Sequence, residues 1–233
     1  MIVLLSSANS LSGQSVDVLT SVLGLVPLRH VRRTARDFFL ARTRSVDYEQ
    51  RKAVIVDTAA ELIARSGFSG ASVSDLAKSC GISKSLIYHY YPAKEDILYA
   101  VMASHIDQLI DDVELVLIKS HPPIERLRLL LHAFMDHYTG AASRQKVLLN
   151  ELAHLTDSAR ADIIGKQRMI IDSVQRLVVE LRPNLAADPA RARGQTMLLF
   201  GMINWTHTWF DPKGQLSAHD LAEMAFQTFI GHR

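Results

Sequence analysis

The chain holds one cysteine, Cys80, in 233 residues, so no disulfide can form within it and the composition suits a reducing cytoplasm. Cys80 has no evident base nearby, and beside Gly81 it reads as a small packed residue rather than a redox centre. No apolar run reaches the ~18 residues that span a bilayer, so no membrane partner is expected. There is no G-x-S-x-G, H-E-x-x-H, P-loop or G-x-G-x-x-G pattern, which argues against an enzyme and gives no reason to expect a cofactor or metal. Strand-like alternation and internal repeats are missing too. Charge of one sign is equally scarce: 26 Lys and Arg stand against 24 Asp and Glu, a formal net charge of +2.

What is present is 48% hydrophobic, enough for one large domain or two smaller ones with proper cores. The charge is unevenly spread. Residues 1–48 carry six Arg against Asp17, Asp37 and Asp47, residues 49–96 balance six basic against six acidic side chains, and residues 97–233 hold 14 against 15. An apolar, Ser-rich stretch up to Leu28 precedes an arginine run from Arg29 to Arg44. That order reverses a secretory signal, in which the positive charge comes first. Residues 1–47 are read as a poorly ordered extension, the alternative being an Arg-rich arm that adds non-specific affinity for DNA.

Residues 72–96 are the most informative part of the chain. A short helix over Ser72–Ser79 opens with Ser-x-x-Asp, a form of the capping box. Gly81 suits the left-handed residue of a tight turn, Ser83 caps a second helix running to about Tyr90, and Pro92 lies beyond its end. This is the pattern of a helix-turn-helix, whose second helix enters the DNA major groove. Lys84, Ser85 and His89 are then placed to touch base edges, while Tyr88 and Lys94 reach phosphates. Lys94 sits at a helix N-terminus, where the dipole disfavours a cation, and a phosphate partner explains it. Tyr90 and Tyr91 read as packing residues. Because residues 49–96 carry no net charge, the second helix is no general polyanion binder and needs a second copy held at fixed spacing.

Around this motif the chain reads as helix throughout. Val54, Ala59, Leu62 and Ile63 mark a helix from Tyr48 that closes at Gly67 and Phe68. Ile97, Val101, Ile106, Leu109, Ile110, Val113 and Leu117 form the apolar stripe of a long helix from Lys94 to about Lys119. His121-Pro-Pro123 breaks it, and amphipathic segments follow at about 123–139, 143–156, 158–182 and 188–210. Asp211-Pro-Lys-Gly214 is a turn, and a last helix covers Ser217 to about Ile230. The expected fold is all-α, with a three-helix helix-turn-helix DNA-binding domain at 48–95 and a larger six-helix domain at 96–233, to which the family resemblance given below assigns ligand binding and dimerisation.

Thr58-Ala-Ala-Glu-Leu62, Gly67-Phe68, Ser72-Val73, Leu76-Ala77, Gly81-Ile-Ser83, Leu86-Ile-Tyr-His-Tyr-Tyr91 and Lys94-Glu-Asp-Ile-Leu98 follow an order and spacing that resemble the TetR family of bacterial regulators. The resemblance implies a homodimer, a two-half-site operator, and a C-terminal pocket whose ligand alters the separation of the two reading heads from the ~34 Å of successive major grooves. It puts Lys84, Ser85 and His89 at base-reading positions and Tyr88, Lys94 and Ser72 on the backbone. Ala93 departs from the pattern, standing where the family often has a capping Ser or Asn, a loss of about 0.5–2 kcal/mol unless Pro92, Glu95 and Asp96 offset it.

Met197 to Phe210 contains both tryptophans, and Leu198, Met202, Trp205 and Trp209 share one helical face, either as core and dimer interface or as pocket lining. Polar side chains inside apolar helices point more directly to a pocket, since burial without a partner costs roughly 1–3 kcal/mol. Asn150 and His154, Asn204 and Thr208, and His137 next to Tyr138 form such a polar set, with Phe134, Trp205 and Trp209 as apolar lining. The ligand expected there is a small hydrophobic effector with a polar head. The stretch from Trp205 to Gly231 is similar to regulators of aromatic or sterol-ring catabolism that answer to acyl-coenzyme A thioesters, an aromatic acyl-CoA for example. Arg168 and Arg176 hold the phosphates of such a thioester only if they face the cavity mouth; otherwise they are solvated.

Together these readings describe a cytoplasmic, dimeric, ligand-controlled DNA-binding regulator, most simply a repressor released from a palindromic operator by its effector. The alternative is a helical lipid-binding or protein-interaction module without DNA binding.

Overall fold

The structure, a computed structural model, describes the backbone of residues 35–231 and the side chains of residues 47–231. The expected extension falls largely outside the described residues; its last part belongs to the backbone of helix α1 (Ala35–Gly70), which begins well before Tyr48. The chain divides into Met1–Val46 and Asp47–Arg233, and the second unit holds the helix-turn-helix and all that follows it.

Among the described residues, nine α-helices and short 3-10 turns make up the fold, with no strand. In α1, Ile55, Val56, Ala59, Ala60, Leu62 and Ile63 recur at helical spacing and are buried. The regular helix stops at Gly67, whose φ of 73° only glycine adopts without strain, and the turn beyond it buries Phe68. Ser72 starts α2 (Val73–Ser79) by accepting the Asp75 amide at 3.0 Å, and its own hydroxyl donates to the Asp75 carboxylate at 2.6 Å. Gly81, at φ 67°, makes the turn, and Ser83 accepts the Leu86 amide at 3.1 Å to open α3 (Lys84–Tyr90). The missing cap at Ala93 is offset from within α4 (Lys94–Leu117), where the Asp96 carboxylate accepts the Ala93 amide at 2.9 Å.

Helix α4 buries Leu98, Val101, Met102, Ile106 and Leu109 and packs against α5 (Pro123–Gly140), α6 (Ala142–Asn150) and α7 (Asp157–Leu181). Each such side chain contributes about 1.5–3 kcal/mol by leaving water. Helix α5 also lies along α9 (Ala218–Ile230), and α7 along α8 (Pro189–Asn204).

Two helices end sooner than their amphipathic pattern predicts. The segment expected at 143–156 stops as α6 at Asn150 and turns as 3-10 over Leu152–His154, where Glu151 is drawn to the Phe68 amide at 3.2 Å. The segment expected at 188–210 stops as α8 at Asn204 and continues as a 3-10 turn, Trp205–Thr208. There the Thr206 and Thr208 hydroxyls donate to the carbonyls of Ile203 and Trp205, and the His207 ring bonds that of Asn204, local bonds that compete with the α-helical ladder.

Candidate nucleic-acid interface and ligand cavity

Helix α3 has two unlike faces. Ile87 is fully buried, and Ile82, Leu86 and Tyr90 are half-buried around it. Lys84, Ser85, Tyr88 and His89 are all exposed, and their spacings of four put them on adjoining columns away from Ile87. The Lys84 ammonium lies 5.8 Å from the Tyr88 ring centre. This face offers an ammonium, a hydroxyl, a phenol and an imidazole to whatever approaches it; Lys suits the guanine edge, and Ser can donate or accept. Tyr90 packs on Tyr48 with ring centres 4.8 Å apart, and Tyr91 is buried, which pushes its phenol up to about 12 with Tyr48 and Glu49 adding to the rise.

Ser72 and Lys94 flank this face with intramolecular duties of their own. Ser72 is exposed, but its hydroxyl serves the α2 cap. The Lys94 ammonium donates to the Phe68 carbonyl and sits 4.1 Å from the Phe68 ring centre. That partner explains a cation at the start of α4 without a phosphate, and leaves two of its three N–H donors for other acceptors.

A cavity of about 220 Å³ opens among five helices. It is lined by Ile106 and Leu109 from α4, Phe134 and Tyr138 from α5, Gln145, Leu148 and Leu149 from α6, Gln167, Ile170 and Ile171 from α7, and Met197, Phe200 and Asn204 from α8. Its polar groups are linked. The Gln145 amide oxygen accepts the His105 Nε2–H at 2.7 Å, which assigns the proton to that nitrogen and leaves Nδ1 buried without a partner. The Gln145 amide nitrogen donates to Asn204 Oδ1 at 3.4 Å. Burial pushes His105 down to about 4, against the Gln145 bond and with His137 and Arg144 adding to the fall, so its ring is neutral at ordinary pH. Burial drives the Tyr138 phenol well up, opposed only by the adjacent Gln145 amide.

Of the residues expected to hold a ligand, Phe134, Tyr138 and Asn204 line this cavity. The others lie elsewhere. His137 is half-buried between Gln108, at 3.1 Å, and Asp112, at 3.3 Å. Asn150 is exposed and donates to the Lys146 carbonyl at 2.8 Å. His154 stacks on Phe68, ring centres 5.0 Å apart, and faces Glu151 at 3.4 Å, because the 3-10 turn carries it off the α6 axis. Thr208 is exposed and bonds the Trp205 carbonyl. Trp205 and Trp209 are 65% and 53% exposed, as is Leu198 at 70%. Arg168 and Arg176 are likewise exposed and line no part of the cavity. Gln145 and Gln167 escape sequence reasoning because each sits in a polar stretch that reads as surface, Ser-Arg-Gln-Lys and Gly-Lys-Gln-Arg. The one available signal is the register of Gln145 with Leu148 and Leu149, three and four residues on.

Helix α6 faces two ways. Gln145, Leu148 and Leu149 reach the cavity, while Arg144 pairs with Asp57 of α1 and Glu151, one residue past the helix, accepts the Phe68 amide. Helix α6 thus touches both the cavity and the helix that precedes the helix-turn-helix.

Comparison with known proteins agrees with this architecture. The profile "Bacterial regulatory proteins, tetR family" matches residues 55–101, and "Tetracyclin repressor-like, C-terminal domain" matches residues 120–231. A TetR-family transcriptional regulator from Bordetella parapertussis is 37% identical with a TM-score of 0.74, covering 77% of this chain and 93% of that one. The structure of AibR with isovaleryl coenzyme A and operator DNA is 26% identical with a TM-score of 0.69, over 76% of this chain and 97% of that one. The transcriptional repressor KstR2 of Mycolicibacterium smegmatis is 24% identical over 192 residues, 78% of this chain and 89% of the relative. With two successive profiles and a close structural relative spanning the helix-turn-helix and the helical body, the chain belongs to the TetR family of helix-turn-helix transcriptional regulators.

Proposed function

We propose that the protein is a cytoplasmic, homodimeric repressor that reads a palindromic operator with α3 and leaves it when a small hydrophobic effector enters the cavity between α4 and α8. Residues 48–95 act as the reading head and residues 96–233 as the ligand-binding and dimerisation body. The observation that carries the reading is the presence, in one fold, of an exposed polar face on α3 and a cavity among α4–α8, with α6 touching both the cavity and α1.

Lys84, Ser85 and His89 contact base edges, Tyr88 the backbone, and Lys94 a phosphate with the donors its Phe68 bond leaves free, while Ser72 reaches a phosphate only by turning its one O–H away from Asp75. Dimerisation uses α8, the turn after it and α9, which carry the exposed apolar side chains Leu198, Trp205, Trp209 and Met224. Gly194 and Gly201 on α8 have open space where a Cβ would stand, so a second helix can approach closely. On this reading both tryptophans are interface residues. The effector class is an acyl-coenzyme A thioester with its acyl end in the cavity, supported by the AibR complex with isovaleryl coenzyme A. An electrophoretic mobility assay on DNA from upstream of the protein's own gene tests the whole. Retardation at low salt, relieved by acyl-CoA, is expected, and no retardation by purified dimer defeats it.

A further inference from the structure

No cation lines the cavity. Its thirteen lining residues supply apolar surface and four polar side chains, the amides of Gln145, Gln167 and Asn204 and the hydroxyl of Tyr138, none of them charged. Two nearby bases are committed elsewhere. Arg144 is paired with Asp57, and Lys166 with Asp107 at 2.8 Å and Asp162 at 3.5 Å. Behind Gln145 stands His105, fully buried and held neutral, with His137 and Arg144 on its other sides disfavouring a proton. An ionised group seated against this lining would lose part of its hydration and meet only amides and a phenol, a cost that neutral hydrogen bonds do not return in full. A carbonyl, amide or hydroxyl would find donors and acceptors already in place.

We propose that the cavity selects an uncharged ligand: a compact apolar skeleton bearing one neutral hydrogen-bonding group, and not an ionised carboxylate or phosphate. This rests on the reading of the cavity as the effector site and narrows its chemistry. The size agrees, because about 220 Å³ lies below the ~300–1,000 Å³ of most drug-sized sites. An acyl-coenzyme A can place only its acyl end and thioester carbonyl inside, with every phosphate outside. The corresponding free acid, which a thioesterase would release, is excluded while ionised. The cavity thereby distinguishes an activated acyl group from its hydrolysis product by charge alone.

The test is thermal unfolding of the full chain with primary amides from butanamide to decanamide and with the matching carboxylates. Near neutral pH the best amide is expected to bind at least about tenfold more tightly than its carboxylate. Carboxylate binding should strengthen about tenfold for each unit of pH lowered between about 8 and 6.5, since only the protonated acid enters. Carboxylates that bind as well as the amides, independently of pH, overturn the inference while leaving the cavity a ligand site. Leu148→Trp, which fills the cavity, should abolish the amide effect, with Leu149→Phe as the second variant if the first does not fold. An amide effect that survives filling places the binding elsewhere and overturns it too. No stabilisation by any amide in the wild-type chain rejects the effector-site reading itself.

Discussion

The reading head and the ligand cavity carry function in opposite ways. In the head the candidate base-reading side chains are exposed and close in sequence, on the seven residues of α3, and held by local devices: the Ser83 cap, the turn at Gly81 and the single buried anchor Ile87. In the cavity the lining groups are brought from five helices between Ile106 and Asn204, and none does anything without the others. Exposed residues on a rigid local frame can change to suit a new operator at little cost to folding. Cavity residues are also core residues, so changing the ligand disturbs the fold.

The contrast can be broken first where it is strongest. Phe134 is buried against Tyr138 and Phe200, with ring centres 6.0 and 5.9 Å away, and also lines the cavity. Phe134→Ala should cost about 3–5 kcal/mol in urea unfolding and weaken effector binding as well. A change below about 1 kcal/mol would mean that the cavity is not part of the core.

A pH series sharpens the same side. His105 takes up a proton only near pH 4 when folded but near 6.5 when unfolded, so between those values the unfolded chain binds the extra proton. Stability attributable to His105 is therefore complete above pH 6.5 and falls by about 3 kcal/mol as pH drops towards 4. His105→Gln should remove that part of the acid sensitivity; an unchanged pH profile would show that the ring is not buried neutral.

On the head, Lys84→Ala should lower affinity about tenfold, in the range of 1–3 kcal/mol per base contact, and relax preference at particular operator positions. Melting of the unbound protein should hardly change. Lys94→Ala should weaken all sequences alike and also destabilise the protein, because its ammonium ties α4 to the Phe68 carbonyl. The smallest expected effect is Ser83→Ala, about 1 kcal/mol of stability from the lost cap, with operator preference kept.

The same contrast explains how much is legible in the sequence. Ser72, Gly81, Ser83 and the exposed face of α3 follow from residues a few positions apart. The apolar stripe of α4 is legible by periodicity, and His105 stands within it, one turn from Val101 and Leu109. Asn150 and His154 fall away from the expected site because no Gly or Pro marks the end of α6; the helix ends beside Glu151, whose partner, the Phe68 amide, lies 83 residues earlier. Thr208 and Trp209 do so for a related reason, since hydroxyl and imidazole bonds to the backbone turn the end of α8 into 3-10 helix. Gln145 sits between Arg144 and Lys146, and only the bundle around it makes it a buried polar centre.

The central claim is that two copies of α3, held at fixed spacing by the helical body, read one DNA site. Selection from a random duplex library by the purified full-length protein tests it whatever the operator sequence is. The account predicts enrichment of a two-fold symmetric sequence whose half-sites lie about one helical turn, 10–10.5 base pairs, or a multiple of it apart, with the symmetry lost for Trp205→Glu, which places a charge in the turn after α8. Enrichment of a single asymmetric half-site, or of no sequence at all, would contradict it.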